Sequence, residues 1–481
     1  MRKDSKLIIL PVLLLAISSC GNNNASEPEK PLPPLPVIDE HYYENITDRV
    51  SFDTENANNF VDDITNGLDD NVWYTLDGFW ENGGEPGWHN GVRRRNLFYT
   101  KDENNNGYLA MKARGRYDTS DPSINGKTEG ACIETKAALG PGRYEVEMAC
   151  MPRPGGVSAF WTYACPSGSE DLTQYEIDIE VGGEGQFTNL WSTTWVKKSN
   201  KGTKNTDVSD ILFMNDGHIH KYTFDWYTDY VGRNETRIDW FIDEHFIVSL
   251  DKSAIPINAM PLWLGLWLPS WGGASEFEYD YLLVDKVSYQ AFDPETQYYT
   301  PTRINAGYSP KAPSNSNIES IPFSSIKNLN KINNAGCESL AERTTNDHYG
   351  WKKSTNFDGT IELSNDHTEG EHSFKLTSVG EGSEHDSRYY QDLDCAYKGY
   401  EYDLSFDAKI DEGSTATLQL SYRSINKITV LKTETINITS TSFQNYTKHV
   451  VMPAGSGLLK IWLKVENGSA YYDNFNLVKT N

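Results

Sequence analysis

In the run Tyr175-Glu176-Ile177-Asp178-Ile179-Glu180-Val181, carboxylates alternate strictly with apolar residues. A period of two is the repeat of an extended strand. Glu176, Asp178 and Glu180 therefore share one face, and Ile177, Ile179 and Val181 share the other. The apolar face reads as core. The acid face carries three like charges that raise one another's pKa values, a cost with no structural return. A solvated outer face would produce the same alternation, so the surroundings have to decide. Upstream lies Gly155-Gly156-Val157-Ser158-Ala159-Phe160-Trp161-Thr162-Tyr163. Downstream come Trp191, Trp195 and Leu264-Gly265-Leu266-Trp267-Leu268-Pro269-Ser270-Trp271. Acids flanked by this many aromatics predict a cleft rather than a bare outer surface.

The rest of the first part follows the same grammar. From Tyr42 to Asp293, short strand-like runs are broken by Gly, Asn, Asp and Pro. Examples are Tyr108–Ala113, Arg143–Met148, His220–Trp226 and Thr236–Ile242. No long stretch has a helical period. This predicts an all-β protein, with a jelly-roll sandwich bearing a concave cleft over residues 42–293. Residues 294–330, with Pro301, Pro310 and Pro313, predict a linker. A second β-rich segment, 331–481, is long enough to bury a core of its own and predicts a second, smaller β-sandwich. Its strand candidates include Glu401–Asp407, Ala416–Tyr422 and Leu458–Val465.

Residues 1–19 predict a lipoprotein signal peptide. Arg2, Lys3 and Lys6 precede an apolar run from Leu7 to Ile17, and Ile17-Ser18-Ser19-Cys20 matches a bacterial lipobox. Cys20 is then the lipidated first residue of an exported, membrane-anchored chain at the cell surface or in the periplasm, with the outer membrane the expected location. Residues 20–41 form a Pro-rich tether. Cleavage would take the formal charge from −25 to −27, through loss of Arg2, Lys3, Lys6 and Asp4. Such an acidic chain is a poor nucleic-acid binder. Contact with a membrane is expected only through the lipid, and the chain is expected to be a monomer. Of the other cysteines, Cys337 and Cys395 fall in the second segment and can pair. Cys132, Cys150 and Cys165 leave one over, and no His stands near them at a metal-ligand spacing, so no metal site is expected.

Two carboxylic acids held in different protonation states are what glycosidic bond cleavage requires. A retaining mechanism needs its carboxyl groups about 5–5.5 Å apart. Residues four apart on a flat strand have Cα atoms about 13 Å apart, at ~3.3 Å per residue. Long Glu side chains at the outer positions of a twisted strand can converge, with the shorter Asp178 between them orienting one. Chemistry alone does not say which Glu attacks.

Glu176-Ile177-Asp178-Ile179-Glu180 resembles the signature of glycoside hydrolase family 16, in the form without an extra residue before the last Glu that lichenases and xyloglucan-active members carry. Gly140–Val146, Val157–Tyr163, His220–Trp226 and Asp239–Asp243 resemble family segments in the same order, over roughly residues 70–293. The resemblance implies Glu176 as nucleophile, Asp178 as its assistant and Glu180 as general acid/base. It implies no required cofactor, and a structural calcium would not be out of place. Two departures bear on the polysaccharide cleaved. Gly265 stands where lichenases have Asn, two residues before Trp267, and Tyr175 where they have Trp. The stretch Trp267–Gly273 has the look of some galactan-active members. A β-1,3/1,4-glucan is expected first, and a red-algal or other galactan second.

Sugars are held by aromatic faces and by polar groups at their hydroxyls. The candidates are Trp161, Trp191, Trp267 and Trp271, with Glu134 and Tyr175 as polar partners. Trp226 and Trp240 are expected to pack inward, and Trp73, Trp80 and Trp88 fall in a Gly-rich stretch at a cleft edge or surface. His89, His218 and His220 are isolated and expected to be structural. Residues 331–481 resemble family 4-like carbohydrate-binding modules in length, position and the ending Ala470–Leu477, with Tyr349, Trp351, Tyr389 and Tyr390 as platform candidates. A non-catalytic glycan-binding surface lipoprotein would share the cleft, the aromatics and the anchor.

Overall fold

Strand alternation sorts side chains between two faces, and in the computed structural model it does so around two β-sandwiches. The structure describes residues 51–78, 89–121, 126–166, 168–228, 236–251, 254–295, 297, 311–312, 317–343 and 346–481. The expected signal peptide, Cys20, the tether, Trp80 and Trp88 lie outside these. Among the described residues, no helix is long and apolar enough to cross a membrane.

The first sandwich has two layers. The layer that carries the acids runs, neighbour by neighbour, Lys311–Ala312, Trp73–Leu76, Thr128–Leu139, Met260–Trp267, Val157–Ala164, Tyr175–Gly182, Gln186–Val196 and Lys201–Asp207, antiparallel throughout. The layer behind it contains Leu97–Lys101, Gly107–Arg114, Tyr279–Ala291, Gly142–Ala149, His220–Tyr227, Arg237–Ile242 and His245–Asp251. Ile177, Ile179 and Val181 point between the layers, as their period demands. There they join Phe160, Leu262 and Leu264 against Tyr144, Val146, Phe224 and Trp240, all buried. Each such side chain contributes about 1.5–3 kcal/mol when fully buried. Trp226 and Trp240 pack inward as expected.

The second sandwich pairs a six-stranded sheet with a five-stranded one. The six-stranded sheet includes Trp351–Lys353, Ser387–Asp394, Ser456–Asn467 and Thr415–Ser424. The five-stranded sheet includes Ser373–Thr377, Ser469–Lys479 and Glu401–Ile410. The chain is thus all-β, a jelly-roll-like sandwich followed by a smaller one. Trp351, Phe374, Tyr389, Phe406 and Phe475 fill the smaller core. This corrects two of the platform candidates. Trp351 and Tyr389 are fully buried, their rings 5.6 Å apart, and neither presents a face to a ligand. Tyr349 turns toward the first domain, its ring 6.2 Å from that of Tyr117.

The segment expected to be a linker is built into the first domain where it is described. Lys311–Ala312 pairs with Trp73–Leu76, and Glu319–Ser320 pairs in parallel with Leu97–Lys101. Phe323 then stacks on Tyr108 at 5.7 Å. A few apolar side chains suffice to dock a segment whose composition otherwise reads as loop.

Charge and aromatic contacts join the domains. Asp280 is buried between Arg153 at 2.9 Å and Lys331 at 2.7 Å, and the Arg153 guanidinium also donates to the Lys331 carbonyl at 3.2 Å. Phe213 stacks on Tyr397 at 4.4 Å. The Tyr397 hydroxyl donates to the Gly185 carbonyl at 3.0 Å, and the Tyr400 hydroxyl to the Asn215 side chain at 2.7 Å. Cys337 and Cys395, able to pair on sequence grounds, are free buried thiols, as are Cys132, Cys150 and Cys165. The Cys395 thiol faces the Gly185 carbonyl across the domain joint at 3.6 Å.

Candidate active site

The acid strand lies inside its sheet, with a partner on either side. Register sets Glu176 between Tyr163 and Trp195, Asp178 between Trp161 and Thr193, and Glu180 between Ala159 and Trp191. A one-residue slip would turn the isoleucines out and the acids in, so the buried face fixes which side chains reach the open one. From behind, the Trp240 indole N–H donates to the Asp178 carbonyl at 3.0 Å and ties the strand to the second layer.

Burial raises the pKa of all three carboxyls, and Glu180 adds to the rise at Glu176. Asp178, only 4% exposed, is pushed up well beyond the usual carboxylate range by burial and then by its two neighbours. Its hydrogen bond to Glu176 favours the charged form of that group. The Gln174 amide donates a second hydrogen bond to Glu176 at 2.6 Å. Lys201, whose ammonium lies 4.4 Å from the Trp195 ring centre, pulls Glu180 and Asp178 back down. Three interacting acids titrate as a set. Glu176 is pushed up to about 8 and Glu180 to about 7, and the hydrogen bonds from Gln174 and Asp178 are what favour the charged form of Glu176 against that rise.

Aromatic side chains wall this face. The rings of Trp161 and Trp263 lie 5.7 Å apart, and Tyr163 meets Trp263 edge-on at 6.0 Å. Nearer Glu180, Trp191 stacks on Trp271 at 5.2 Å and 17°, and Trp267 meets Trp271 edge-on at 5.7 Å. The Trp191 N–H donates to Gln186 at 3.1 Å, which fixes its ring. Trp271 sits in the turn Ser270–Gly272 and is 37% exposed, so a ligand can reach it. Glu134 faces the same way but is 1% exposed, opposite Tyr74 and Trp263.

Tyr175 is a correction. It is one residue out of phase with Glu176 and packs against the main core, so it is no polar partner for a sugar. The same fact removes one of the two departures that bore on the substrate. Gly265 has a local cause as well. A Cβ there would lie 3.0 Å from the Cys132 sulfur and 3.2 Å from the Ala131 carbonyl. Cys132, Gly265 and Ala159 line up beside Glu180 as a row of small residues. Trp263 and Tyr163 are not among the sequence candidates, although a period of two from Trp267 and Trp161 points to both.

Among the described residues, no three His, Cys, Asp or Glu side chains are grouped so as to hold a metal ion. His220 bridges Asp243 at 2.6 Å and Asp216 at 3.1 Å, which pushes its pKa up to about 9. It is a structural cation.

Paired carboxyls on a sheet face between tryptophan walls are groups that acid–base chemistry on a sugar can use. Residues 93–282 match the family model described as "Glycosyl hydrolases family 16". Among characterised relatives, the chain is 28% identical to a "Beta-glucanase" of Acetivibrio thermocellus, over 44% of this chain and 59% of that protein. The chain thus spans little more than half of that relative's length. It is also 28% identical to "Endo-1,3-1,4-beta-glycanase ExoK" of Rhizobium meliloti, over 50% of this chain and 81% of that protein. Among solved structures, a "prokaryotic beta-1,3-1,4-glucanase (lichenase) derived from a mouse hindgut metagenome" aligns with 48% of this chain and 98% of its own, at 23% identity and a TM-score of 0.37.

Proposed function

We propose that this protein is a retaining endo-glycanase that cleaves a β-1,3/1,4-glucan, held at the cell surface by a lipid on Cys20. The observation that carries the enzymatic reading is the single strand face on which Glu176, Asp178 and Glu180 stand together between the Trp161 and Trp191 walls, all three with raised pKa values. A purely binding surface has no use for that repulsion. The names of the two relatives support the substrate.

In the proposed reaction, Glu176, ionised and oriented by Gln174 and Asp178, attacks the anomeric carbon. Glu180, whose pKa burial raises to about 7, gives its proton to the leaving glycosidic oxygen. The glycosyl ester on Glu176 is then opened by water, whose proton returns to Glu180. No cofactor takes part. The second domain is proposed to bind glycan, and Tyr390 is the one platform candidate that faces outward on its sheet, paired with Trp462 at 4.6 Å.

The test is release of reducing ends from lichenan, laminarin, xyloglucan, agarose, porphyran and carrageenan by purified protein, with product stereochemistry followed by NMR. Hydrolysis of lichenan with retention is expected, and Glu176→Gln and Glu180→Gln should each lower kcat by roughly 10³-fold or more. Cleavage of a galactan alone would replace the substrate. Undiminished hydrolysis by Glu176→Gln would overturn the mechanism. Binding without any hydrolysis would make the protein a glycan-binding lipoprotein. For the anchor, Cys20→Ala should move the protein from the membrane fraction to the soluble one.

A further inference from the structure

A groove of about 280 Å³ lies between the two domains, beside the turn that carries Trp271. Its first-domain wall is made from the same two turns that finish the cleft. Glu184 belongs to the turn that follows the acid strand, and Gly272 and Gly273 follow Trp271 directly. The two turns touch, since a Cβ on Gly273 would lie 3.3 Å from the Glu184 side chain. The facing wall comes from the second domain and includes Lys352, Asp392 and Asp394.

That wall leads onward along one sheet face. Lys352 lies opposite Tyr390 in register, and Tyr390 opposite Trp462. Lys460 bridges the groove wall to these rings, its ammonium 3.1 Å from Asp392 and 3.7 Å from the Tyr390 ring centre. Both sides are held in place across the joint. Lys352 pairs with Glu276 at 3.2 Å, and Tyr397 donates to the Gly185 carbonyl of the acid-strand turn. The groove therefore brings charged side chains and, next to them, a half-buried Tyr–Trp pair close to the two turns that border the acid-bearing face.

We propose that the interdomain groove continues the cleft and takes a further stretch of the same glycan chain that lies over the acid strand, an inference that rests on the endo-glycanase reading. The second domain then acts as added subsites of one continuous site rather than as a separately tethered module. Ala274 lines the groove and is exposed, so Ala274→Trp narrows the path without disturbing the core.

The experiment compares kcat/KM on lichenan polymer with kcat/KM on its tetrasaccharide, for the full-length wild type and Ala274→Trp. The polymer-to-tetrasaccharide ratio should fall about tenfold in the variant, the scale of losing one well-placed aromatic-lined contact region. A ratio equal to that of the wild type overturns the groove while leaving the endo-glycanase reading intact. A wild type that cleaves neither substrate overturns both. Should Ala274→Trp fail to fold, Trp462→Ala carries the same comparison.

Discussion

Asp178 shows how much of this site is set by surroundings rather than by residue type. Its pKa is raised in the folded chain by burial and by Glu176 and Glu180. A group with a raised folded pKa favours the fold while neutral, and that contribution is lost as pH rises from the unfolded value through the folded one. Asp178→Asn should therefore match the wild type in Tm near pH 4 and exceed it increasingly toward pH 8. Calorimetry across that range checks it, and a Tm difference that shrinks with rising pH would count against it. Lys201 gives the matching kinetic expectation. It holds Glu180 down, so Lys201→Ala raises the Glu180 pKa, keeps the proposed acid protonated to higher pH, and should move the alkaline limb of the kcat/KM profile upward. At this scale the acids were legible because their period is two and their spacing unbroken. The same period shows that Tyr175 cannot share their face, and that Trp263 and Tyr163 do share it with Trp267 and Trp161. Choosing residues by type rather than by phase takes the first and passes over the other two, which are buried beneath that face.

The strands themselves follow from local pattern, but their partners do not. Met260–Trp267 sits between Thr128–Leu139 and Val157–Ala164, more than a hundred residues earlier in the chain. Nothing in a strand's composition names a partner that distant, so the row Cys132, Gly265, Ala159, Glu180 exists only once the sheet has formed. That row makes an expectation about Gly265. Asn at this position meets the Cys132 sulfur and the Ala131 carbonyl at once. Gly265→Asn should cost about 1–3 kcal/mol by overpacking, and Cys132→Ala in the same chain should recover part of it. Denaturant midpoints of the two variants would test this, and equal midpoints would show that the sheet gives way elsewhere. Alternation also tells which residues share a face without telling which face lies inside. Trp351 and Tyr389 went into the core for that reason, while Tyr390, the next residue, points out.

For the molecule as a whole, the two-sandwich plan was legible in the change of pattern after Asp293, whereas the firmness of the joint was not. Asp280, Arg153 and Lys331 are scattered in sequence and carry no motif, yet they meet as one buried charge cluster. Its carboxylate is held below the usual range by Lys331 first and then Arg153, outweighing its burial. Asp280→Asn leaves two buried cations without a counter-charge and should cost about 3–5 kcal/mol. The wild type should melt in a single calorimetric step, and the variant in two.

The joint also bears on how the chain is made. Lys331 is held by the Leu477 carbonyl at 2.8 Å, and the Lys479 side chain reaches the Asp216 carbonyl at 2.5 Å. The Ser469–Lys479 strand thus latches the region that Asp280 needs. During synthesis the earlier sandwich emerges first, before the strand that completes the joint. Shortening the chain at residue 330 would then yield a fragment that binds chaperones and is readily digested by protease, rather than a free-standing hydrolase.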